Sequence, residues 1–475
     1  METKTNLRYI LFLSVIAAIG GFLFGYDTAV ISGTVNMVAS QFQLDSMEQG
    51  WYVGCALLGS ILGVACAGVM SDYYGRKKML LLSAMLFSVS AVGCAWAGNY
   101  THLVIYRIIG GVGIGMVSII SPMYISEIAE PKYRGSLVSL YQLAITIGFL
   151  GAYLMNFELA KLAEHLNTFG WMELVFQEEV WRGMLLMEIL PAGLFLAVLI
   201  FIPESPRWLI VRGQVSLAEQ VFSKITGSVE SAKHKIIEIL SQHKKDDSLS
   251  VWELMKSRSV LRPILIGAAI AILGQFMGVN AVLYYGPTIF EQSGLPGNDA
   301  LFYQVLVGLV NVLTTVLALL IIDKLGRKQL VYFGVSGMLV TLILISVFFS
   351  KGEQWGLSPL ILLGLFLAYV FCTAISISAV IFVLLSEMYP NKIRGIAMSI
   401  AGFALWVGTY LVGQLTPVLL EELSPAGTFV LFAFMCLPYL YIIYYMVPET
   451  AGKSLEEIEG FWELEAQDVG EKVYK

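Results

Sequence analysis

Charge is scarce in this sequence: Asp, Glu, Lys and Arg make up 13% of its 475 residues, about half the roughly 25% of an ordinary soluble domain. Hydrophobic residues make up 57%. So small a polar complement cannot shield that much apolar surface, and a water-soluble globule is excluded. The formal charge of −6 provides no basic surface, which excludes nucleic acid as a partner. Cysteine is also sparse. Cys55, Cys66, Cys94, Cys372 and Cys436 stand singly in apolar runs without metal-ligand spacing, so they read as packed or lipid-facing thiols and imply no metal or other cofactor. No small-residue cleavage pattern follows the polar start Met1 to Arg8, and the next apolar run continues through Asp27. That run is expected to be a retained helix, not a signal peptide.

Long apolar runs are plentiful, each close to the roughly 20 residues that carry a helix across a bilayer core of about 30 Å. Twelve spans are expected: 8–35, 49–70, 79–97, 102–125, 136–157, 181–202, 263–290, 301–322, 329–349, 358–385, 396–419 and 428–447. The chain is therefore an all-α membrane protein with the lipid bilayer as its solvent. The polar stretch Glu204 to Arg262 has helical periodicity in Leu217 to Ile225 and Ile236 to Leu240, so it reads as a short helical linker. Lysine and arginine fix the orientation, because basic loops stay on the cytoplasmic side. With the N-terminus inside, inner segments hold 25 of the 29 basic residues, the exceptions being Arg107, Lys161, Arg182 and Lys351. Both termini are placed in the cytoplasm of a cell whose inner membrane the chain crosses.

The sequence repeats itself. Ser71-Asp72 with Gly75-Arg76-Lys77 returns as Asp323 with Gly326-Arg327-Lys328, and Ser126-Glu127 with Arg134-Gly135 returns as Ser386-Glu387 with Arg394-Gly395. Pro203-Glu204-Ser205-Pro206-Arg207 is echoed by Pro448-Glu449-Thr450. Four segments follow: a six-helix half over 1–203, the linker 204–262, a second six-helix half over 263–447, and a tail over 448–475. Paired halves around a midplane site are a transporter architecture. These repeated signatures resemble those of the major facilitator superfamily, and the full set resembles its sugar porter family over nearly the whole chain. Phe24 to Gly33, Pro203 to Leu209, Gly278 to Tyr285 and Pro448 to Glu459 look closest to bacterial xylose and arabinose proton symporters. The resemblance implies two pseudo-symmetric six-helix bundles that act as a monomer on a small sugar and protons.

An ionised group inside a span costs about 2.5 to 3.5 kcal/mol on insertion scales, so it marks a functional site by default. Asp27 and Arg107 are such groups. At 1.5 Å per residue their expected depths agree within roughly 5 Å, so they can meet. A carboxyl that alternates between an arginine partner and a dry surrounding can take up a proton on one side and release it on the other. The competing reading is a permanent structural ion pair. By resemblance the aspartate goes with proton symport, whereas animal facilitative glucose transporters have a neutral residue there.

A sugar needs side chains that donate and accept hydrogen bonds, and aromatic faces for its C–H faces. Gln275, Asn280 and Tyr284 flank Gly278, where a glycine can loosen the seventh span. Gln142, Asn311 and Trp406 are further polar or amphipathic groups in apolar helices. By resemblance Phe24, Gln142, Gln275, Asn280, Tyr284, Asn311 and Trp406 match sugar-contacting positions; interhelical bonding and packing are the competing reading. Three amides of the family pattern are missing, with Gly274, Phe149 and Leu405 in their places, and the tenth span carries Ser378 to Phe382 where Gly-Pro-x-x-Trp is usual. At about 1 kcal/mol or more per hydrogen bond, this predicts altered selectivity. Glu127, Glu204, Glu387 and Glu449 are expected to pair with Arg76, Arg134, Arg207, Arg327 and Arg394 as a cytoplasmic gate. A sugar uniporter and a non-transporting sugar receptor are the alternatives. An enzyme is not expected, since the chain carries no nucleophile motif or phosphate loop and Gly110 to Gly115 reads as close helix packing.

Overall fold

The structure is a computed structural model that describes residues 6–165, 170–243, 257–389, 393–450, 453, 457–458 and 460–462. Among these residues the secondary structure is helical without strands, as expected. Twelve helices are long and apolar enough to cross a membrane: Leu7–Phe42, Ser46–Tyr74, Arg76–Ala95, Tyr100–Ile128, Arg134–Ala163, Val180–Leu199, Val260–Gln292, Gly297–Ile322, Arg327–Lys351, Pro359–Met388, Arg394–Glu422 and Ser424–Tyr445. The protein is thus a multi-pass membrane protein. The first span runs further than 8–35 because the polar residues at its C-terminal end keep helical geometry until Gln43, which turns to φ 53°.

The chain divides by contact into two compact units, the first made of Met1–Met37 and Cys55–Ser248 and the second of Val38–Gly54 and Leu249–Lys475. In the first unit the second and fourth spans pack backbone to backbone. A Cβ on Gly111 or Gly115 would fall 2.0 or 2.1 Å from the carbonyls of Ala56 and Ser60, so the glycine run is a packing face as expected. Asn99 caps the fourth span by accepting from the His102 N–H at 2.8 Å. Arg182, an exception to the basic-inside count, closes the C-terminal end of the third span. Its guanidinium donates to the carbonyls of Ala95 and Ala97 at 3.0 and 2.7 Å and pairs with Glu179, which matches the preference of cations for helix C-termini.

The linker forms helices Pro206–Val211, Val215–Thr226 and Val229–His243. Ala218, Val221, Phe222 and Ile225 form the buried stripe of the second, and the Asn6 N–H donates to the Ile225 carbonyl at 2.9 Å, seating the start of the first span. Residues 244–256 of the linker and most of the tail lie outside the described residues. In the second unit the seventh span breaks at Gly278, whose φ of 88° is the left-handed conformation that glycine adopts at little cost. The tenth span carries a π-helical turn over Ala374–Ser378, beside the altered Gly-Pro pattern. Gln414 donates to the Met47 carbonyl at 3.0 Å, fastening the start of the second span to the eleventh.

Candidate functional site

Asp27 on the first span is 0% exposed and Arg107 on the fourth 2%. The Arg107 Nη1 donates to Asp27 Oδ1. The pair expected from depth alone is formed. A third ionisable group joins it. Glu188 on the sixth span is 1% exposed and close enough to interact electrostatically with both Asp27 and Arg107. The rule that singled out Asp27, an ionisable residue inside an apolar run, applies equally to Glu188, which lies seven residues into the 181–202 run and carries the same signal. Asp27 Oδ2 and Glu188 Oε1 are buried without a hydrogen-bond partner among the described residues, as is the Tyr26 hydroxyl, which lies within electrostatic reach of Glu188. One guanidinium is paired with one of two carboxyls and lies within electrostatic reach of the other. With both ionised the cluster carries a net negative charge away from water, and one bound proton brings it to neutrality, the cheaper state in a dry interior.

Phe24 and Gln142 stand half-buried on the first and fifth spans of the same unit. Phe149, in place of an amide, is buried against Tyr153 with ring centroids 6.1 Å apart. In the second unit Asn280 Nδ2 donates to Gln275 Oε1 at 2.7 Å, bridging the break at Gly278. Thr409 Oγ1 donates to the same oxygen at 3.2 Å. Thr409 escaped the sequence reading, although it follows Trp406 at helical spacing on the eleventh span. Trp406, Tyr284 and Asn311 are buried in the same unit. The side chains of Gln142, Tyr284 and Asn311 form no hydrogen bond with protein among the described residues. Gly274 is buried, and a Cβ there would meet Ile377 at 3.5 Å and Tyr439 at 3.7 Å, so the missing amide leaves a wall formed by the tenth and twelfth spans.

The repeated motifs build the same clamp twice. In the first unit Arg76 binds Glu127 through Nη2 at 2.9 Å and Asp72 through Nη1 at 2.9 Å. Glu204 accepts from the backbone N–H groups of Arg76 at 2.8 Å, Lys77 at 3.1 Å and Ser205 at 2.8 Å. In the second, Arg327 binds Glu387 at 3.1 Å and Glu449 accepts from the N–H groups of Arg327 and Lys328, each at 3.1 Å, and of Thr450 at 3.0 Å. Each glutamate after the last span of a unit therefore takes the unsatisfied donors at a helix start. Burial raises the Glu204 carboxyl above the ordinary carboxylate range, against the lowering effect of those N–H groups. Arg134 and Arg207 form no ion pair among the described residues; they lie near enough to feel each other's charge. Arg394 donates to the Tyr389 carbonyl at 3.5 Å. The bonds of these two clamps lie inside one unit each.

The model of the sugar (and other) transporter family matches residues 13–462. The arabinose-proton symporter of Bacillus subtilis (strain 168) is 35% identical over 96% of this chain and 96% of its own. The D-xylose-proton symporter of Escherichia coli (strain K12) is 38% identical over 98% of each. Among solved structures, the major facilitator superfamily proton:xylose symporter XylE bound to 6-bromo-6-deoxy-D-glucose superposes with a TM-score of 0.79 at 36% identity, covering 96% of this chain and 100% of that one. With twelve spans, duplicated clamps and a match along nearly its full length, this chain belongs to the sugar (and other) transporter family, within the sugar porters of the major facilitator superfamily.

Proposed function

We propose that this protein is a proton-coupled symporter of a small sugar of the pentose or hexose class, D-xylose-like in size, working by alternating access. The observation that carries the reading is the buried cluster of Asp27, Arg107 and Glu188, which has one more carboxyl than guanidinium and two buried carboxyl oxygens without a partner among the described residues. A uniporter has no use for a proton held there. The relatives named for arabinose-proton and D-xylose-proton symport support the same assignment. The sugar is proposed to meet Phe24, Gln142, Gln275, Asn280, Tyr284, Asn311 and Trp406, with Thr409 added. Polar side chains without protein partners on Gln142, Tyr284 and Asn311 support that site, and the apolar replacements at Gly274, Phe149 and Leu405 favour a sugar with fewer hydroxyls to satisfy. The duplicated clamps are proposed to hold the cytoplasmic helix ends, with both termini on that side of a cytoplasmic membrane, and each monomer carries a complete set of these residues.

The test is uptake of labelled pentoses, hexoses, deoxy sugars and inositols into proteoliposomes with and without an imposed proton gradient. Accumulation of one of them above equilibrium, only with the gradient, is expected. Saturable binding with no flux would support a receptor instead.

A further inference from the structure

The outer part of the seventh span, Val279–Gln292, is cut from the inner part at Gly278 and interrupted again by Pro287. A proline has no N–H, and its ring displaces the carbonyl four residues back. The Leu283 carbonyl thus loses the donor it would have in an unbroken helix. Gln304 on the eighth span is 1% exposed and its Nε2 donates to both carbonyls, at 3.3 Å to Val282 and 3.2 Å to Leu283. A neighbouring helix is one of the few sources of replacement donors inside a bilayer. The other end of the same amide rests on Gly286, where a Cβ would come within 1.9 Å of Gln304 Oε1, an oxygen that is buried without a hydrogen-bond partner among the described residues.

Two tyrosines serve interrupted helices in the same way, one the seventh span and the other the eleventh. Tyr369 donates to the Met277 carbonyl at the break and Tyr285 to the Gly413 carbonyl, four residues before Pro417, each at 2.7 Å. Gln304 differs in where its bonds fall. Val282 and Leu283 lie between Asn280 and Tyr284, two of the proposed sugar contacts on this half-helix. A leucine at 304 would fill similar space but remove the amide that bridges these two carbonyls, and an alanine at 286 would push the amide away.

We infer that Gln304, seated on Gly286, is a positioning residue that fixes the rotation of Val279–Gln292 so that Asn280 and Tyr284 face the sugar together. It sets sugar affinity and leaves proton coupling alone, because Asp27, Arg107 and Glu188 belong to the other unit. The inference rests on the sugar-site reading above, so its test has one arm that needs no sugar.

In the full-length protein, hydrogen exchange of peptides from 279–292 is compared with that of 258–276 for wild type, Gln304→Leu, Gln304→Ala, Gly286→Ala and the Gly286→Ala, Gln304→Ala pair. Gln304→Leu should speed exchange in 279–292 alone. Gly286→Ala should do so in the wild-type background and add nothing once Gln304 is alanine, since the clash is then gone. Counterflow of D-xylose should show the KM of Gln304→Leu raised roughly tenfold, as the loss of buried hydrogen bonds predicts, with the maximal rate within about twofold. Unchanged exchange in a folded Gln304→Leu overturns the inference, as does faster exchange with unchanged KM. If wild type counterflows neither D-xylose nor any other sugar of the panel above, the sugar reading falls on that control, and the exchange arm still decides whether Gln304 holds the half-helix.

Discussion

Asp27→Asn separates the transport of sugar from the use of the proton gradient. The amide keeps the size of the side chain and an oxygen for Arg107 Nη1, but it removes the titratable proton. The charge count of the cluster then changes: Arg107 and Glu188 are left to neutralise each other, so neutrality no longer requires a bound proton. A pH gradient of one unit is worth about 1.4 kcal/mol per proton, a tenfold concentration ratio. Wild type in such a gradient should accumulate sugar up to about tenfold for each proton coupled, whereas Asp27→Asn should stop at a ratio of one. Counterflow should survive, because it needs only the loaded carrier to reorient and the amide resembles the protonated acid. Stability gives a second reading of the same arithmetic. Asp27→Asn should unfold near the wild-type temperature, while adding Glu188→Gln leaves Arg107 with neither carboxylate and should cost about 3 to 5 kcal/mol, the scale of a broken buried pair. The assays are gradient-driven accumulation and counterflow in the same proteoliposomes, with thermal unfolding of both variants. Accumulation by Asp27→Asn at the wild-type ratio would refute the reasoning and return the pair to a structural role.

Glu188→Gln alone should weaken accumulation while preserving counterflow, measured as for Asp27→Asn; an unchanged accumulation ratio would remove Glu188 from the proton cluster. Gln142→Ala, Gln275→Ala, Asn280→Ala and Trp406→Ala should each weaken sugar binding by roughly 1 to 3 kcal/mol, and wild-type affinity in all four by equilibrium binding would relocate the site. Gly274→Gln should place its amide against Ile377 and Tyr439 and shift the competition profile toward sugars with more equatorial hydroxyls; an unchanged profile in a folded variant would put position 274 outside the site. Glu127→Gln should loosen the start of the third span, seen as faster hydrogen exchange in residues 76–84, with sugar affinity unchanged.

Much of the fold was legible because the bilayer enforces it: twelve apolar runs of spanning length have no other stable solution, and the repeats of Arg76 and Glu127 as Arg327 and Glu387 mark the same ends of corresponding spans. The Asp27–Arg107 pair was legible for the same reason, since each is an isolated charge at a computable depth. Glu188 obeyed that rule too and was equally legible, being an acidic residue seven positions into an apolar run. Other features depend on neighbours that sequence spacing does not reveal. Gln304 acquires its place from Pro287 on another helix, Thr409 from Gln275 across the seventh and eleventh spans, and Arg182 from the carbonyl end of the third span. The clamp glutamates were assigned to arginine side chains, yet Glu204 and Glu449 accept mainly from backbone N–H groups, which carry no signature in a sequence.

Proton-coupled sugar symport is tested most directly by following both fluxes in the same vesicles. Unlabelled sugar is added to de-energised, weakly buffered proteoliposomes while external pH and sugar uptake are recorded together. The account predicts that sugar entry alkalinises the medium in wild type and leaves it unchanged in Asp27→Asn. Sugar entry without any proton movement in wild type would contradict it and make the protein a uniporter.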